Sequence, residues 1–242
     1  MTASENAAAF RPGEDDVFAR IARRYDLLCD LFSLGAHRYW KARMARRIAQ
    51  AGGASVLDLA SGTGDIPRRL LRRPEFAGRS LWVTDLSPAM LEVAREKLAQ
   101  APGVRCRTAD AERLTGISAN SFDIVSISLA MKICDRKAVL REALRVLRPG
   151  GLFFCLEAGR VRSPALRALY LEYMTWCVPL MAQLAAGGDR GAYDYLLKGI
   201  RTFPDADAFA GEIEAAGFTD VGYEPMTFGV VSLHYARKPR RG

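Results

Sequence analysis

The stretch Ser55–Asp65 (SVLDLASGTGD) constrains the fold of this chain more than any other. Its first half is a short apolar run of the kind that forms a buried parallel strand. Gly62 and Gly64 then allow the backbone to take positive φ and to approach a ligand closely. A helix is predicted to begin near Asp65. In an open α/β sheet, this first strand-to-helix loop is where nucleotide-like cofactors bind.

The residues around the loop favour a cofactor without phosphates. A dinucleotide fingerprint has a third glycine, whereas Pro67 stands at that position here. Asp58 and Asp65 bracket the loop, and two carboxylates suit a cationic group better than a pyrophosphate. S-Adenosylmethionine, which carries an ammonium and a sulfonium, meets that requirement. An NAD or flavin domain with a degenerate loop is the alternative.

Two further acids follow later apolar runs. Asp85 ends a run about twenty residues after the loop, where an acid can accept hydrogen bonds from both ribose hydroxyls. Asp110 follows the next run and can meet the adenine amino group. The glycine loop and these two acids together predict S-adenosylmethionine as the cofactor.

Short apolar runs alternate with helical patterns, which predicts an α/β fold with a parallel, doubly wound sheet of the Rossmann-like kind, seven strands in all. Apolar residues recur at helical spacing from Asp15 to Gln50, so this segment is predicted to cover the cofactor as a lid. A helix from Lys137 is predicted to stop at the Arg148-Pro149-Gly150-Gly151 turn. The predicted strands are Ser55–Leu59, Ser80–Asp85, Val104–Thr108, Phe122–Ser128, Leu152–Glu157 and an antiparallel edge pair, Val221–Glu224 and Val230–Arg237.

A chain of 242 residues fits one domain. We predict a disordered tail over 1–13 and a single domain over 14–242. That domain divides into a helical lid (14–50), a cofactor-binding half (55–160) and a helical insertion on the substrate side (161–203). The insertion contains an apolar, aromatic stretch, Leu166–Ala186, which is interrupted by Arg167, Glu172 and Pro179. Core packing, a substrate wall and a membrane-facing surface all remain open for it.

Charge and cysteine usage narrow the classes of function. The net charge of +8 fits a partner such as RNA or an anionic membrane, or simply a basic cytoplasmic protein. The 5 cysteines are widely separated and the chain has only 2 histidines, so no zinc site is expected. We expect reduced thiols in the cytoplasm, no signal peptide and no membrane span.

These features resemble the class I S-adenosylmethionine-dependent methyltransferases and, more narrowly, the UbiE-type family of ubiquinone and menaquinone C-methyltransferases. The resemblance runs from about Val17 to Arg237. Many methyltransferases share the glycine loop and the R-V-L-R-P-G-G turn at 145–151. The more family-specific pieces are Arg24-Tyr25-Asp26, His37-Arg38-Tyr39-Trp40-Lys41 and Gly229-Val230-Val231-Ser232-Leu233-His234.

The resemblance implies a long-tailed quinone precursor as the acceptor, methylated at a ring carbon. It places Tyr25, Asp26, Tyr193, Tyr195 and Arg201 on the substrate side. The loop and the resemblance together predict these cofactor contacts: Tyr25, Asp58, Ala60, Ser61, Gly62, Thr63, Gly64, Asp85, Leu86, Met90, Asp110, Ala111 and Ser128.

Methyl transfer to a ring carbon needs a positioned donor and acceptor, and it is helped by removal of the phenol proton. We predict that Arg201 stabilises the developing phenolate, with Tyr195 nearby and His37 as the next candidate base. Cys134 follows Ile133 rather than a proline, which argues against a covalent nucleophile of the nucleic-acid C5 type. An Asn/Asp-Pro-Pro-Tyr turn is absent there, so base N-methylation and a nucleic-acid partner are not expected.

Three departures from the family pattern lie near the expected substrate pocket. Leu129-Ala130-Met131-Lys132-Ile133 replaces an F-G-L-R-N stretch, Phe203 replaces a histidine, and residues 188–196 depart from N-D-x-x-x-Y-x-Y-L. The sequence therefore leaves three methyl acceptors as alternatives: a quinone precursor, another small molecule and a phospholipid. It also leaves O- or N-methylation as alternatives to C-methylation. A non-catalytic S-adenosylmethionine-binding protein is the other alternative. We further expect a lipophilic aromatic substrate, weak peripheral attachment at the inner membrane face and a homodimer.

Overall fold

The computed structural model describes residues 17–99, 101–159, 161, 164–177, 199, 200 and 202–240. The predicted tail over 1–13 therefore lies outside the described residues, as does most of the insertion beyond Cys177. The strands are β1 (Ser55–Leu59), β2 (Ser80–Asp85), β3 (Val104–Thr108), β4 (Phe122–Ser128), β5 (Leu147–Ala158), β6 (Thr219–Met226) and β7 (Val231–Arg237). The α-helices are α1 (Val17–Ile21), α2 (Tyr25–Ser33), α3 (Ala36–Gln50), α4 (Asp65–Leu71), α5 (Pro88–Leu98), α6 (Arg136–Val146), α7 (Pro164–Glu172) and α8 (Ala206–Ala215).

One seven-stranded sheet organises the molecule, in the order β3-β2-β1-β4-β5-β7-β6. The first five strands run parallel and β7 runs antiparallel to both β5 and β6. The predicted class I sheet is therefore confirmed. The predicted antiparallel edge pair is confirmed as β7 and β6, of which β6 is the outermost strand, so β7 itself has no solvent-facing edge. The strand order reverses between β1 and β4, which is where a ligand crevice is expected at the carboxyl ends of the strands.

The start of β5 differs from the sequence prediction. The Arg148-Pro149-Gly150-Gly151 segment follows the end of α6, as predicted, but it already belongs to β5. The register of β5 against β4 shifts in this segment, as it does at a β-bulge. Gly150 has φ 80°. A Cβ on Gly151 would come within 2.9 Å of the Arg148 carbonyl oxygen, so both glycines are needed for the chain to turn and pair at once.

The predicted N-terminal lid divides into two parts with different packing. Helix α3 belongs to the large core cluster, where Met44, Ala45 and Ile48 are fully buried. Helices α1 and α2 instead pack on α5 through a separate small cluster of Ile21, Ala22, Leu28 and Met90. They join α3 at Leu34 and Gly35, both of which have positive φ (49° and 76°). Only α1 and α2 can therefore act as a lid.

None of the described helices combines the length and the hydropathy that a membrane span requires. The described residues also contain no group of three His, Cys, Asp or Glu side chains placed to hold a metal ion.

His234, on the inner strand β7, is only 1% exposed. Its Nε2 lies 3.0 Å from the Ala206 carbonyl oxygen, and its Nδ1 has no hydrogen-bond partner among the described residues. The ring packs edge-on against Phe209 and beside Tyr223. Burial lowers the pKa of His234 below its usual value, so the ring is neutral in the folded protein and stabilises it by packing.

We expect His234→Phe to weaken the pH dependence of stability. The pKa of His234 is lower in the folded protein than in the unfolded chain. The stability that the neutral ring contributes is therefore complete above about pH 6.5. It is lost as the pH falls below that value, by up to about 1.4 kcal/mol per pH unit. Urea unfolding of both proteins at pH 7.5 and pH 5.5 measures this difference. Asp58, whose pKa is raised, has the opposite effect but is common to both proteins, so it cancels. Equal losses of stability in the two proteins would contradict the assignment.

Candidate active site

Two cavities meet at the carboxyl ends of the parallel strands. The smaller is about 200 Å³ and lies over the loops that follow β1, β2 and β3. The larger is about 270 Å³ and lies between α2, α3, α7 and the loops after β4 and β5. Tyr25 and Leu129 line both cavities, so these two side chains stand at the boundary between them.

Most of the predicted cofactor residues line the smaller cavity. Asp58, Ser61, Thr63 and Gly64 do not line it. The lining residues that were predicted are Tyr25, Ala60, Gly62, Asp85, Leu86, Met90, Asp110, Ala111 and Ser128. Those that sequence reasoning missed are Phe18, Ser87, Ala109, Glu112, Leu129, Ala130, Ile133 and Cys134. Several of the missed residues directly follow β3 or β4. Because ligands bind at the carboxyl ends of parallel strands, the predicted strand ends could have identified them.

Backbone amides hold the Asp85 carboxylate at the wall of the smaller cavity. Its Oδ2 accepts a hydrogen bond from the Gly62 N–H at 2.7 Å, and its Oδ1 accepts one from the Ser87 N–H at 2.9 Å. The first of these bonds ties the glycine loop to the end of β2. Two amide donors orient the carboxylate.

Asp58 lies beneath the glycine loop and is 1% exposed. Its Oδ1 accepts a hydrogen bond from the Ser126 hydroxyl at 2.6 Å, while Oδ2 has no donor among the described residues. Burial raises the pKa of Asp58 to about 6, against the opposing effect of Ser126. A buried carboxylate oxygen without a donor is costly, and a cation or N–H group at this place would remove the cost.

Thr63 and Asp65 bind other side chains of the protein and do not line the smaller cavity. The Thr63 hydroxyl donates to Asp26 Oδ1 at 2.6 Å. Asp65 is paired with Lys41 Nζ at 3.3 Å and with Arg69 Nε at 3.1 Å. Burial would raise the pKa of Asp65, but these cations together with Arg68 lower it to about 2. The second acid of the loop therefore anchors α3, and it is not available to a ligand.

The described lining of the smaller cavity is acidic. Asp85, Asp110 and Glu112 line it, and no lysine or arginine is among the described residues that do so. Three carboxyl groups in the lining disfavour a diphosphate and suit a cofactor with a positive charge. The lining therefore fits S-adenosylmethionine better than a dinucleotide.

The larger cavity is mainly apolar, with one buried ion pair in its wall. Lys132 Nζ lies 3.0 Å from Glu157 Oε1, and the two side chains are 5% and 0% exposed. The Lys132 and Ala158 backbone amides also donate to this carboxylate, at 3.1 and 2.7 Å. Lys132 Nζ further donates to the Leu129 carbonyl oxygen. Sequence reasoning noted Lys132 only as a departure from the family pattern, and it missed Glu157.

Lys132 thereby supports a strained residue at the boundary of the two cavities. Leu129 has φ 56°, a conformation that costs a non-glycine residue energy. Its N–H donates to the Leu156 carbonyl oxygen at 2.7 Å and its carbonyl is held by Lys132. Two backbone hydrogen bonds keep Leu129 in this position between the cavities.

Tyrosine hydroxyls supply further polar groups to the larger cavity. Burial raises the pKa of Tyr170 to about 12, so its hydroxyl stays protonated and able to donate. The Tyr173 hydroxyl donates to the Leu31 carbonyl oxygen at 2.9 Å, which ties the segment after α7 to the end of α2.

Of the three predicted catalytic residues, the structure describes His37 alone, and it lines the larger cavity. The Ser33 hydroxyl donates to the Cys29 carbonyl oxygen, so His37 Nδ1, at 2.9 Å, is the donor to Ser33 Oγ. Burial, followed by the charge of Lys41, lowers the pKa of His37. A neutral ring protonated at Nδ1 leaves Nε2 as its basic nitrogen, so the base role of His37 stays a prediction. Arg201 and Tyr195 lie outside the described residues.

Cys134 lines the smaller cavity, and burial together with Glu112 and Glu157 raises its pKa to about 12. It is therefore a thiol at neutral pH, which is unsuitable for a nucleophile.

Comparisons with known proteins identify the family of this chain. The model of the ubiE/COQ5 methyltransferase family matches residues 6–238. A Caenorhabditis elegans protein named 2-methoxy-6-polyprenyl-1,4-benzoquinol methylase, mitochondrial, is 37% identical over 231 residues, covering 93% of this chain and 79% of its own. The ubiquinone/menaquinone biosynthesis C-methyltransferase UbiE of Acidiphilium cryptum is 40% identical over 223 residues, covering 90% and 88%.

Solved structures show the same fold at low sequence identity. A SAM-dependent methyltransferase from Thermotoga maritima has a TM-score of 0.64 at 19% identity, covering 91% of this chain and 97% of that one. An O-methyltransferase family protein from Burkholderia thailandensis has a TM-score of 0.64 at 16% identity, covering 93% and 62%. With the family match extending over nearly the whole chain, this protein belongs to the ubiE/COQ5 methyltransferase family.

Proposed function

We propose that this enzyme transfers a methyl group from S-adenosylmethionine to a ring carbon of a lipophilic phenol or quinol, as its relatives' names indicate for ubiquinone and menaquinone biosynthesis. The observation that carries the proposal is the pair of adjoining cavities, one lined by carboxylates and one mainly apolar. They meet at Tyr25 and Leu129, so a donor in one and an acceptor in the other would be neighbours.

The smaller cavity supplies the groups that S-adenosylmethionine needs. Asp85, held by two amides, would accept the ribose hydroxyls, and Asp110 would accept from the adenine amino group. Asp58 lies beneath the loop rather than in the cavity lining, and its Oδ2, which has no donor among the described residues, suits a contact with the cofactor's ammonium through a water molecule. When bound, the cofactor supplies an electrophilic methyl group on its sulfonium.

The larger cavity supplies the acceptor side. Its apolar wall would exclude water, and Tyr170 can donate a hydrogen bond to an acceptor oxygen. Lys132 is the cation that the structure places there, and it would stabilise a phenolate as the phenol proton leaves. Glu157 holds the ammonium in position. We therefore add Lys132 to Arg201, Tyr195 and His37 as a proposed catalytic residue.

Turnover by the purified enzyme tests the proposal. A deletion strain should accumulate a quinone precursor that lacks one methyl group, and the enzyme with labelled S-adenosylmethionine should methylate that precursor at carbon. A labelled phospholipid or an O-methyl product would instead favour a related enzyme that acts on another acceptor. Binding of S-adenosylmethionine without methylation of any compound in a cell extract would favour a non-catalytic binding protein.

Asp85→Ala is expected to weaken S-adenosylmethionine binding by about ten- to a thousandfold, because each hydrogen bond to a charged group contributes about 1.5–3 kcal/mol. Titration calorimetry measures the affinity, and Glu92→Gln, on the neighbouring helix α5, serves as a charge-matched control. Unchanged affinity in a folded Asp85→Ala protein would exclude Asp85 from the cofactor site.

Lys132→Met is expected to lower kcat by about a hundred- to a thousandfold, the usual size of the loss when one charge-stabilising donor is removed. Cofactor affinity should stay close to wild type, because Lys132 does not line the smaller cavity. Removal of one partner of a buried pair destabilises a fold. The double variant Lys132→Met/Glu157→Gln therefore separates catalysis from folding, and Lys132→Arg should retain much of the activity. Normal turnover by the folded double variant would contradict the role.

Weak peripheral attachment to a membrane is a further part of the proposal. Leu34, Leu169, Trp176 and Phe228 are 75%, 68%, 72% and 78% exposed. Leu34 lines the larger cavity, Leu169 and Phe228 are next in sequence to lining residues, and Trp176 lies three residues after another. Exposed apolar side chains on the segments that form an apolar cavity suit the interface of a bilayer that holds the acceptor.

Flotation with anionic liposomes should recover the wild-type enzyme at low salt and less of Trp176→Ser/Phe228→Ser. Equal recovery of both proteins would mean that the attachment is electrostatic.

The expected homodimer and the cytoplasmic location also stay proposals. Sedimentation at several protein concentrations tests the homodimer.

A further inference from the structure

Helices α1 and α2 cover one side of the smaller cavity. Phe18 of α1 and Tyr25 of α2 both line it. The Tyr25 ring lies over the glycine loop, since its Cε1 would be 3.8 Å from a Cβ built on Gly62. A cofactor in this cavity is therefore enclosed by the lid on one side and by the sheet on the other.

The residue after Tyr25 ties the lid down. Asp26 Oδ1 accepts a hydrogen bond from the Thr63 hydroxyl at 2.6 Å, and Oδ2 is paired with Lys97 Nζ at 2.5 Å. Thr63 belongs to the glycine loop and Lys97 to α5, so one carboxylate joins the lid to two elements of the body. Burial would raise the pKa of Asp26, but the bonds from Lys97 and Thr63 lower it overall, so the carboxylate is ionised at neutral pH.

The other described attachments of the lid to α5 are weak, whereas the far end of α2 is bound to α3 by the Asp30–Arg38 ion pair and to the segment after α7 by Tyr173. The lid's apolar contact with the body is the small cluster around Met90, apart from the two large core clusters. The Arg23–Glu96 ion pair is 3.3 Å long with side chains 76% and 52% exposed, and pairs so exposed contribute little. Small satellite contacts are typical of segments that open locally.

The lid is also connected so that it can move as a unit. α3 is anchored in the core by apolar packing and by the Lys41–Asp65 pair, with side chains 8% and 10% exposed. Between α2 and α3 lie Leu34 and Gly35, and a Cβ on Gly35 would meet no atom within 4 Å. This junction is therefore where the lid can turn relative to α3, and the Asp30–Arg38 ion pair bridges it.

We propose that Asp26 is a positioning residue that latches the α1–α2 lid onto the glycine loop, and that opening of this latch controls release of the cofactor product. This inference rests on the proposed function, because it assumes that S-adenosylmethionine and its demethylated product occupy the smaller cavity. Sequence reasoning placed Asp26 on the substrate side and Thr63 on the cofactor, whereas in the structure the two bind each other.

Asp26→Asn keeps the size of the side chain but removes its charge, so it tests the latch. We expect S-adenosylhomocysteine to dissociate about tenfold faster than from the wild type, given a partly exposed charge-assisted bond. Stopped-flow displacement measures this rate. Hydrogen exchange of the α2 amides in the S-adenosylhomocysteine complex should rise in parallel. The KM for the acceptor should rise as well, because α2 also lines the larger cavity, so the dissociation rate of S-adenosylhomocysteine is the decisive measurement.

Glu96→Gln is the matched control, since it breaks the exposed ion pair of the same lid and should leave the dissociation rate unchanged. The swap Asp26→Lys/Lys97→Asp restores the pair and should recover part of the slow release. A folded Asp26→Asn protein that releases S-adenosylhomocysteine at the wild-type rate would overturn the latch. Failure of the wild type to bind either compound would instead overturn the proposed function.

Discussion

The 2.7 Å hydrogen bond from the Gly62 N–H to Asp85 Oδ2 is the contact on which the rest of the site depends. It joins the loop after β1 to the end of β2 and so sets the path of the glycine loop. With that path set, Gly62 lies under the Tyr25 ring and Thr63 reaches Asp26. The same carboxylate faces the smaller cavity, so one side chain shapes the loop and is also presented to the ligand.

Buried charges in this protein have different roles according to their partners. Asp65 is surrounded by Lys41, Arg68 and Arg69, which keeps it ionised and makes it an anchor for α3. Asp58 forms no ion pair among the described residues, and burial raises its pKa to about 6, against the weaker opposing charge of Lys41. A well-paired acid stabilises structure, whereas an acid with an unmet hydrogen bond is suited to receive a ligand.

The boundary between the two cavities distinguishes this chain from the pattern that its family resemblance implies. Leu129, Ala130 and Lys132 stand where that pattern has Phe, Gly and Arg. Lysine is a compact charge, while arginine is a planar fork, so the cation in the larger cavity is presented differently here. Its bond to the Leu129 carbonyl ties this cation to the boundary between the two cavities.

The sequence by itself determined the sheet, the glycine loop and the acids at the ends of β2 and β3. These follow from local patterns, namely apolar runs, glycine spacing and distance along the chain. Of the cations around Asp65, Arg68 and Arg69 follow it at helical spacing, whereas only the tertiary structure brought Lys41 to it. The tertiary structure also placed β7 inside the sheet, paired Lys132 with Glu157 across 25 residues and paired Asp26 with Thr63 across 37. A hydrogen bond between distant residues depends on how helices pack on the sheet, and no local pattern records that packing.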